Sequence, residues 1–83
     1  MANSWEATYK GHTVKVENSI FEGEKLWVDG ELQDRTYEVW SARLWGTIRS
    51  GDEEGTRIKA HIGGGFGQKC SIFADDELVL ASH

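Results

Sequence analysis

The chain is expected to fold as an all-β domain, a small antiparallel β-sandwich or flattened barrel of about six to eight strands. Three observations carry that expectation. Ten glycines and no proline fall mostly between short runs rich in Val, Ile, Thr, Trp and Tyr, the composition of strands joined by turns. Within those runs apolar and polar residues alternate, as they must when successive side chains leave opposite faces of a strand. The runs recur every ~8–12 residues, too closely for crossover helices.

Trp5 to Lys10 reads as a first strand, turning at Gly11 into HTVKVEN, where Val14 and Val16 face inward and Lys15 and Glu17 outward. Glu22-Gly23-Glu24 turns the chain into KLWVDGEL, in which Leu26 and Val28 lie opposite Trp27. Asp29-Gly30 is the strongest hairpin signal, because a type I′ turn needs positive φ at both central residues. Thr36 to Arg49, TYEVWSARLWGTIR, reads as one long strand with two apolar-bearing faces: Trp40, Ala42, Leu44 and Ile48 on one, Tyr37, Val39, Arg43, Trp45 and Arg49 on the other. Ser50 to Gly55 is an acidic, glycine-bounded loop and is expected in solvent. TRIKAHI then sets Ile58, Ala60 and Ile62 against Arg57, Lys59 and His61, and Gly63 to Gly67 interrupts the alternation as a link or bulge, with Phe66 closing an end of the sandwich. KCSIFA and ELVLA are the last strands, around Asp75-Asp76. The expected core is Val14, Val16, Leu26, Val28, Trp40, Leu44, Ile48, Ile58, Ile62, Ile72, Leu78 and Leu80.

VKVENSIFEGEKLWVDGEL and IKAHIGGGFGQKCSIFADDEL echo one another across a two-residue gap: an alternating strand, Phe and Gly before a Lys, then a strand ending in an acidic turn. Each unit would be two strands and a bent link.

Length and composition bound the function. Eighty-three residues make one domain spanning 1–83, burying about 60–65% of the surface its unfolded chain exposes. Fourteen acidic against nine basic residues, a net charge of −5, disfavour nucleic acid as the main partner. The single cysteine, Cys70, precludes an intrachain disulfide, and a cytoplasmic setting is the default. No apolar run reaches the ~20 residues that span a bilayer, and MANSWEATYK lacks the features of a signal peptide, so no membrane partner and no processing are expected.

Val28-Asp29-Gly30, Trp40, Ile58-Lys59-Ala60, and Gly65-Phe66-Gly67 with Ile72 and Asp75 form an order of motifs over roughly residues 12 to 80. That order resembles the β-sandwich of the Fas apoptotic inhibitory molecule family, where V-D-G closes a strand before a tryptophan-bearing one and a later G-F-A leads to a strand ending in an acidic turn. Gly67 departs from the third position of G-F-A, and Gln68, Lys69 and Cys70 replace the aromatic residues that follow it. The resemblance implies a sandwich used for protein contacts, without cofactor or catalytic centre, and transfers no site residues.

The four tryptophans are each core or contact surface. Trp40 is in phase with Leu44 and Ile48 and reads as core. Trp27 and Trp45 are out of phase with their apolar neighbours; were their strands adjacent, both rings would share a face with Tyr37, Arg43 and Arg49, and with Lys59, His61 and Phe73 from later strands, and Trp, Tyr and Arg are the residue types enriched at interfaces. Covering by the domain's own second sheet is the plainest fate of such a face. The alternatives are a subunit or partner interface and a sugar or small-ligand site. Gly63 to Gly67 lacks the following helix of a phosphate-binding loop. His12, His61, Cys70 and Asp75 are the only conceivable zinc set and are widely separated, while Cys70 is in phase with Ile72 and Ala74 as an inert buried thiol. The acidic turns Asp52-Glu53-Glu54 and Asp75-Asp76-Glu77 lack calcium-loop spacing and read as solvated tips, although an acidic nucleic-acid mimic is an alternative use of them.

The sequence thus supports a non-enzymatic, cofactor-free and metal-free interaction module. It is expected to self-associate, as in a homodimer, or to dock a protein partner through Trp27, Tyr37, Arg43, Trp45 and Arg49. A carbohydrate-binding role for the same rings is the main alternative.

Overall fold

Eight strands follow one another in the computed structural model, which describes residues 2–19, 21–37, 41–63 and 69–81. They are β1 (Ala2–Tyr9), β2 (His12–Ser19), β3 (Gly23–Val28), β4 (Glu31–Thr36), β5 (Ala42–Thr47), β6 (Arg57–Gly63), β7 (Lys69–Ala74) and β8 (Glu77–Ala81). Strands β1-β2-β3-β4 form one antiparallel meander and β5-β6-β7-β8 a second. Their apolar faces meet in the middle, so the all-β two-sheet architecture expected from the sequence is the one observed.

Three of the turns have one backbone solution. Lys10-Gly11, Asp29-Gly30 and Asp75-Asp76 all have positive φ at both central residues, as a type I′ turn demands of a tight hairpin. Asp29 and Asp75 stabilise this conformation in the same way. Asp29 Oδ1 accepts the Thr13 N–H at 3.0 Å while the Asp29 N–H donates to the Thr13 carbonyl at 2.8 Å. Asp75 repeats the pair with Arg57, at 2.9 and 2.8 Å.

The two sheets are built to one register. Val14↔Val28, Lys15↔Trp27 and Val16↔Leu26 in the first correspond to Ile58↔Ala74, Lys59↔Phe73 and Ala60↔Ile72 in the second. Each has a bulge at the same place: pairing slips between Leu26↔Asp34 and Trp27↔Leu32, leaving Gln33 over, and between Ile72↔Leu80 and Phe73↔Leu78, leaving Val79 over. The sequence echo therefore runs through equivalent strands, β2-β3-β4 and β6-β7-β8.

Val14, Val16, Leu26, Val28, Leu44, Ile48, Ile58, Ile62 and Ile72 are buried, joined by Ala7, Ala42, Ala60, Cys70 and Ala74. Each large aliphatic side chain removed from water contributes about 1.5–3 kcal/mol, and this layer is the main support of a domain this small. Three expectations are corrected. Leu78 is 54% exposed, because the Val79 bulge pairs it with outward-facing Phe73, while Leu80, opposite Ile72, packs against the core only in part. Gly23 and Glu24 are buried at the start of β3 rather than lying in a turn. The long strand over 36–49 is two strands in different sheets: β4 ends at Thr36 and β5 begins at Ala42. Trp40, Phe66 and Gly64 to Gly67 lie outside the described residues, although β6 and β7, on either side of the glycine run, are paired neighbours within one sheet.

Where the sheets meet along β4 and β5, side chains stand in for a missing strand. The Gln33 amide donates to the Thr47 carbonyl and accepts the Thr47 N–H, both at 2.7 Å, and Asp34 Oδ2 accepts the Trp45 N–H at 2.8 Å. The β5 edge is thereby satisfied from within the molecule, which removes one template for edge-to-edge pairing. Gly46 lies between these contacts, and a Cβ there would come within 2.9 Å of Gln33 Oε1.

Candidate interaction face

Alternation fixes what each sheet shows to solvent. With Leu44, Ile58, Ala60, Ile62, Cys70 and Ile72 turned inward, the second sheet presents Arg43, Trp45, Arg57, Lys59, His61, Lys69, Ser71 and Phe73. Cross-strand pairing lines up Trp45, Lys59, Phe73 and Leu78 in one row across all four strands. Lys59 Nζ lies 5.7 Å from the Trp45 ring centroid and 4.7 Å from that of Phe73, so the ammonium is held between two rings by cation–π attraction. Trp45 is 48% exposed.

Trp45 also divides two hollows. One, of about 190 Å³, is lined by Trp45, Arg57, Lys59, Asp75 and Asp76. The other, of about 420 Å³, is lined by Gln33, Trp45, Gly46, Thr47, Arg49 and Arg57.

The charges are segregated. Away from this face Lys10 pairs with Glu53, Lys15 with Glu17 and Lys25 with Glu22, and Arg49, at the rim of the face beside Trp45, pairs with Glu31. Among the described residues Arg35, Arg43, Arg57, Lys59 and Lys69, five of the nine Lys and Arg, form no ion pair, and all but Arg35 lie on this face. A chain of net charge −5 thus carries one strongly cationic sheet face with aromatic rings set into it.

The five residues singled out from sequence do not converge. Arg43 and Trp45 share the face just described, and Arg49, just past β5, lines the larger hollow beside Trp45 while holding Glu31 at 3.1 Å. Trp27 is on the outer face of the first sheet, on the far side of the sandwich, and its indole N–H donates to Glu17 Oε1 at 2.6 Å. Tyr37, 61% exposed, lies against Gly23 at the start of β3 in the first sheet. The expected sharing of one face by Trp27 and Trp45 required their strands to be adjacent, and they belong to different sheets. Lys59, Phe73 and His61 were visible in the alternation as possible neighbours of Trp45, whereas Leu78 was hidden by the bulge.

On the first sheet a hollow of about 450 Å³ is lined by Glu6, Thr13, Lys15, Glu17, Trp27 and Gly30. Its Thr13, Lys15, Trp27 and Gly30 correspond in register to Arg57, Lys59, Phe73 and Asp76 of the second sheet. Glu6 stands where the second sheet has Trp45, each opposite the equivalent lysine. The two outer faces are thus variants of one design with different charge.

Burial pushes the Cys70 thiol up to about 12, so it stays protonated and inert at neutral pH. His12 pairs with Asp29, His61 is on the outer face of the second sheet, Cys70 is in the core and Asp75 is in a turn, so the conceivable zinc set is not assembled. Among the described residues no three His, Cys, Asp or Glu side chains converge as metal ligands, and no helix is long and apolar enough to cross a membrane. No family model, curated protein or solved structure matches the chain.

Proposed function

We propose that this protein is a non-enzymatic docking module whose working surface is the outer face of the second sheet, centred on Trp45, Lys59 and Phe73 and flanked by Arg43 and Arg57. The observation that carries this reading is that, among the described residues, four cations without an ion pair share one face with the half-exposed Trp45 ring and with Phe73, which together hold Lys59 between them. Tryptophan and arginine in a shared patch supply a large share of binding energy at protein interfaces, where a central residue contributes ~2 kcal/mol or more. Face-to-face pairing of two copies sets arginine against arginine, so a protein partner other than a second copy fits this surface better. A cytoplasmic location belongs to the same reading.

The test is charge reversal. Arg43→Glu combined with Lys59→Glu is expected to abolish a complex seen by gel filtration of the native extract, while Lys15→Glu on the opposite face preserves it. Loss by both variants, or by neither, refutes the assignment.

The hollow beside Trp27 favours a second reading. An indole fixed by Glu17, with Glu6, Lys15 and Thr13 at its rim, offers a stacking floor and hydrogen-bonding groups of both signs, which suits a neutral sugar. Chemical-shift changes confined to Trp27 and its neighbours in a titration with simple sugars support that reading, and an unchanged spectrum removes it.

A further inference from the structure

Resting on the docking face proposed above, we infer that its occupant is an extended, acidic segment of a protein partner, laid along β6 with its carboxylates over Arg57, Lys59 and His61. The spacing supplies the first argument. Alternate residues of one strand point the same way and stand about 6.8 Å apart, so Arg57, Lys59 and His61 form a row with that repeat. An extended peptide with an acidic residue at every second position has the same repeat, and each of its carboxylates meets one cationic or imidazole group.

The second argument is the lateral walls. Trp45 on β5 and Phe73 on β7 flank Lys59 in register, which confines an occupant to the β6 line. Leu78 continues the apolar row beyond Phe73, giving the side of such a segment a surface to cover. Arg43 and Lys69 bring further positive charge at the His61 end of the row, since Arg43 pairs with His61 and Lys69 with Gly63.

Charge at the ends separates a peptide from single-stranded nucleic acid. Asp75 and Asp76 border the hollow at the Arg57 end, and the acidic turn Asp52 to Glu54 closes the same end of the β5–β6 hairpin. A phosphate backbone carries charge along its whole length and runs into these carboxylates, whereas a short acidic segment can place its charges only over the cations.

The probes are a short peptide of alternating glutamate and threonine, the same peptide with glutamine for glutamate, and an oligothymidylate of equal length. They are titrated into the full chain with NMR detection of backbone amides and tryptophan indoles. The expected result is saturable binding of the glutamate peptide with shifts on β5–β7, Trp45 among them. Its affinity is expected to fall roughly tenfold or more in Arg43→Glu plus Arg57→Glu, and also on raising salt, which needs no variant and so stands even if that double variant folds poorly. Equal binding of the glutamine peptide, or shifts centred on Trp27, overturns the inference. Tighter binding of oligothymidylate to this face overturns it in favour of nucleic acid. If no probe binds yet charge reversal still removes the native complex, the acidic-segment inference fails while the docking face stands.

Discussion

Replacing Gln33 by alanine strips the β5 edge of its surrogate strand. The amide makes two hydrogen bonds of 2.7 Å to the backbone of Thr47, and both are partly shielded from water. A hydrogen bond contributes a net 0.5–1.5 kcal/mol, and a partly buried backbone group left without a partner adds to the loss, so the variant is expected to lose about 2 kcal/mol. For a domain of this size each kcal/mol corresponds to about 4–8 °C in Tm, which places the drop at roughly 10 °C. Thermal unfolding followed by far-ultraviolet circular dichroism, with urea titration for the free energy, reads it directly. Gln33→Leu keeps the bulk of the side chain without its polar atoms and should fall as far as the alanine variant. A decrease under about 2 °C in both would refute the claim that this side chain secures the edge.

Further outcomes follow from other contacts. Hydrogen bonds from His12 and from the Thr13 N–H hold the Asp29 carboxyl below its ordinary value. The stability this gives is present above pH ~4, where the unfolded chain's aspartate is ionised, and is lost as pH falls through the lower folded value. Asp29→Asn, which keeps the positive φ, should therefore show a shallower loss of stability below pH ~4 than the parent in urea melts at stepped pH; parallel curves would remove the linkage. Cys70 should resist a disulfide reagent at neutral pH and react only at the rate of global opening, and stoichiometric labelling of folded protein within seconds would contradict its burial. Gly23→Ala brings a Cβ within 2.3 Å of the Thr36 carbonyl oxygen at a φ of 81°, whereas Gly30→Ala meets nothing within 4 Å. The first should cost ~3 kcal/mol or more and the second only the ~1–2 kcal/mol of a left-handed residue, and equal losses would show that the crowding is relieved.

What the sequence revealed, and what it hid, divides along physical lines. Alternation identified the inward residues of β2, β3, β6 and β7, because it is a local property of a strand with one buried face. The Asp29-Gly30 hairpin was equally readable from turn chemistry. The passage from β4 to β5 was not, since alternation resumes on either side of a change of sheet and a continuous pattern gives no sign that its halves pair with different neighbours. That single ambiguity put Trp27 and Trp45 on one imagined surface. The bulge at Val79 is hidden for a related reason: one extra residue reverses the faces beyond it, sending Leu78 to solvent, and nothing in ELVLA marks the slip. Charge segregation, the main argument for the docking face, is invisible in a net charge and appears only when the strands are placed side by side.

The central claim is that the second sheet's outer face, and not the first's, receives the partner. A photo-crosslinking residue at Ser71, set beside the same residue at Thr13 on the opposite face, tests this in living cells. The account predicts discrete adducts with another protein from position 71 and none from position 13. Adducts from position 13 alone, or equally from both, would contradict it.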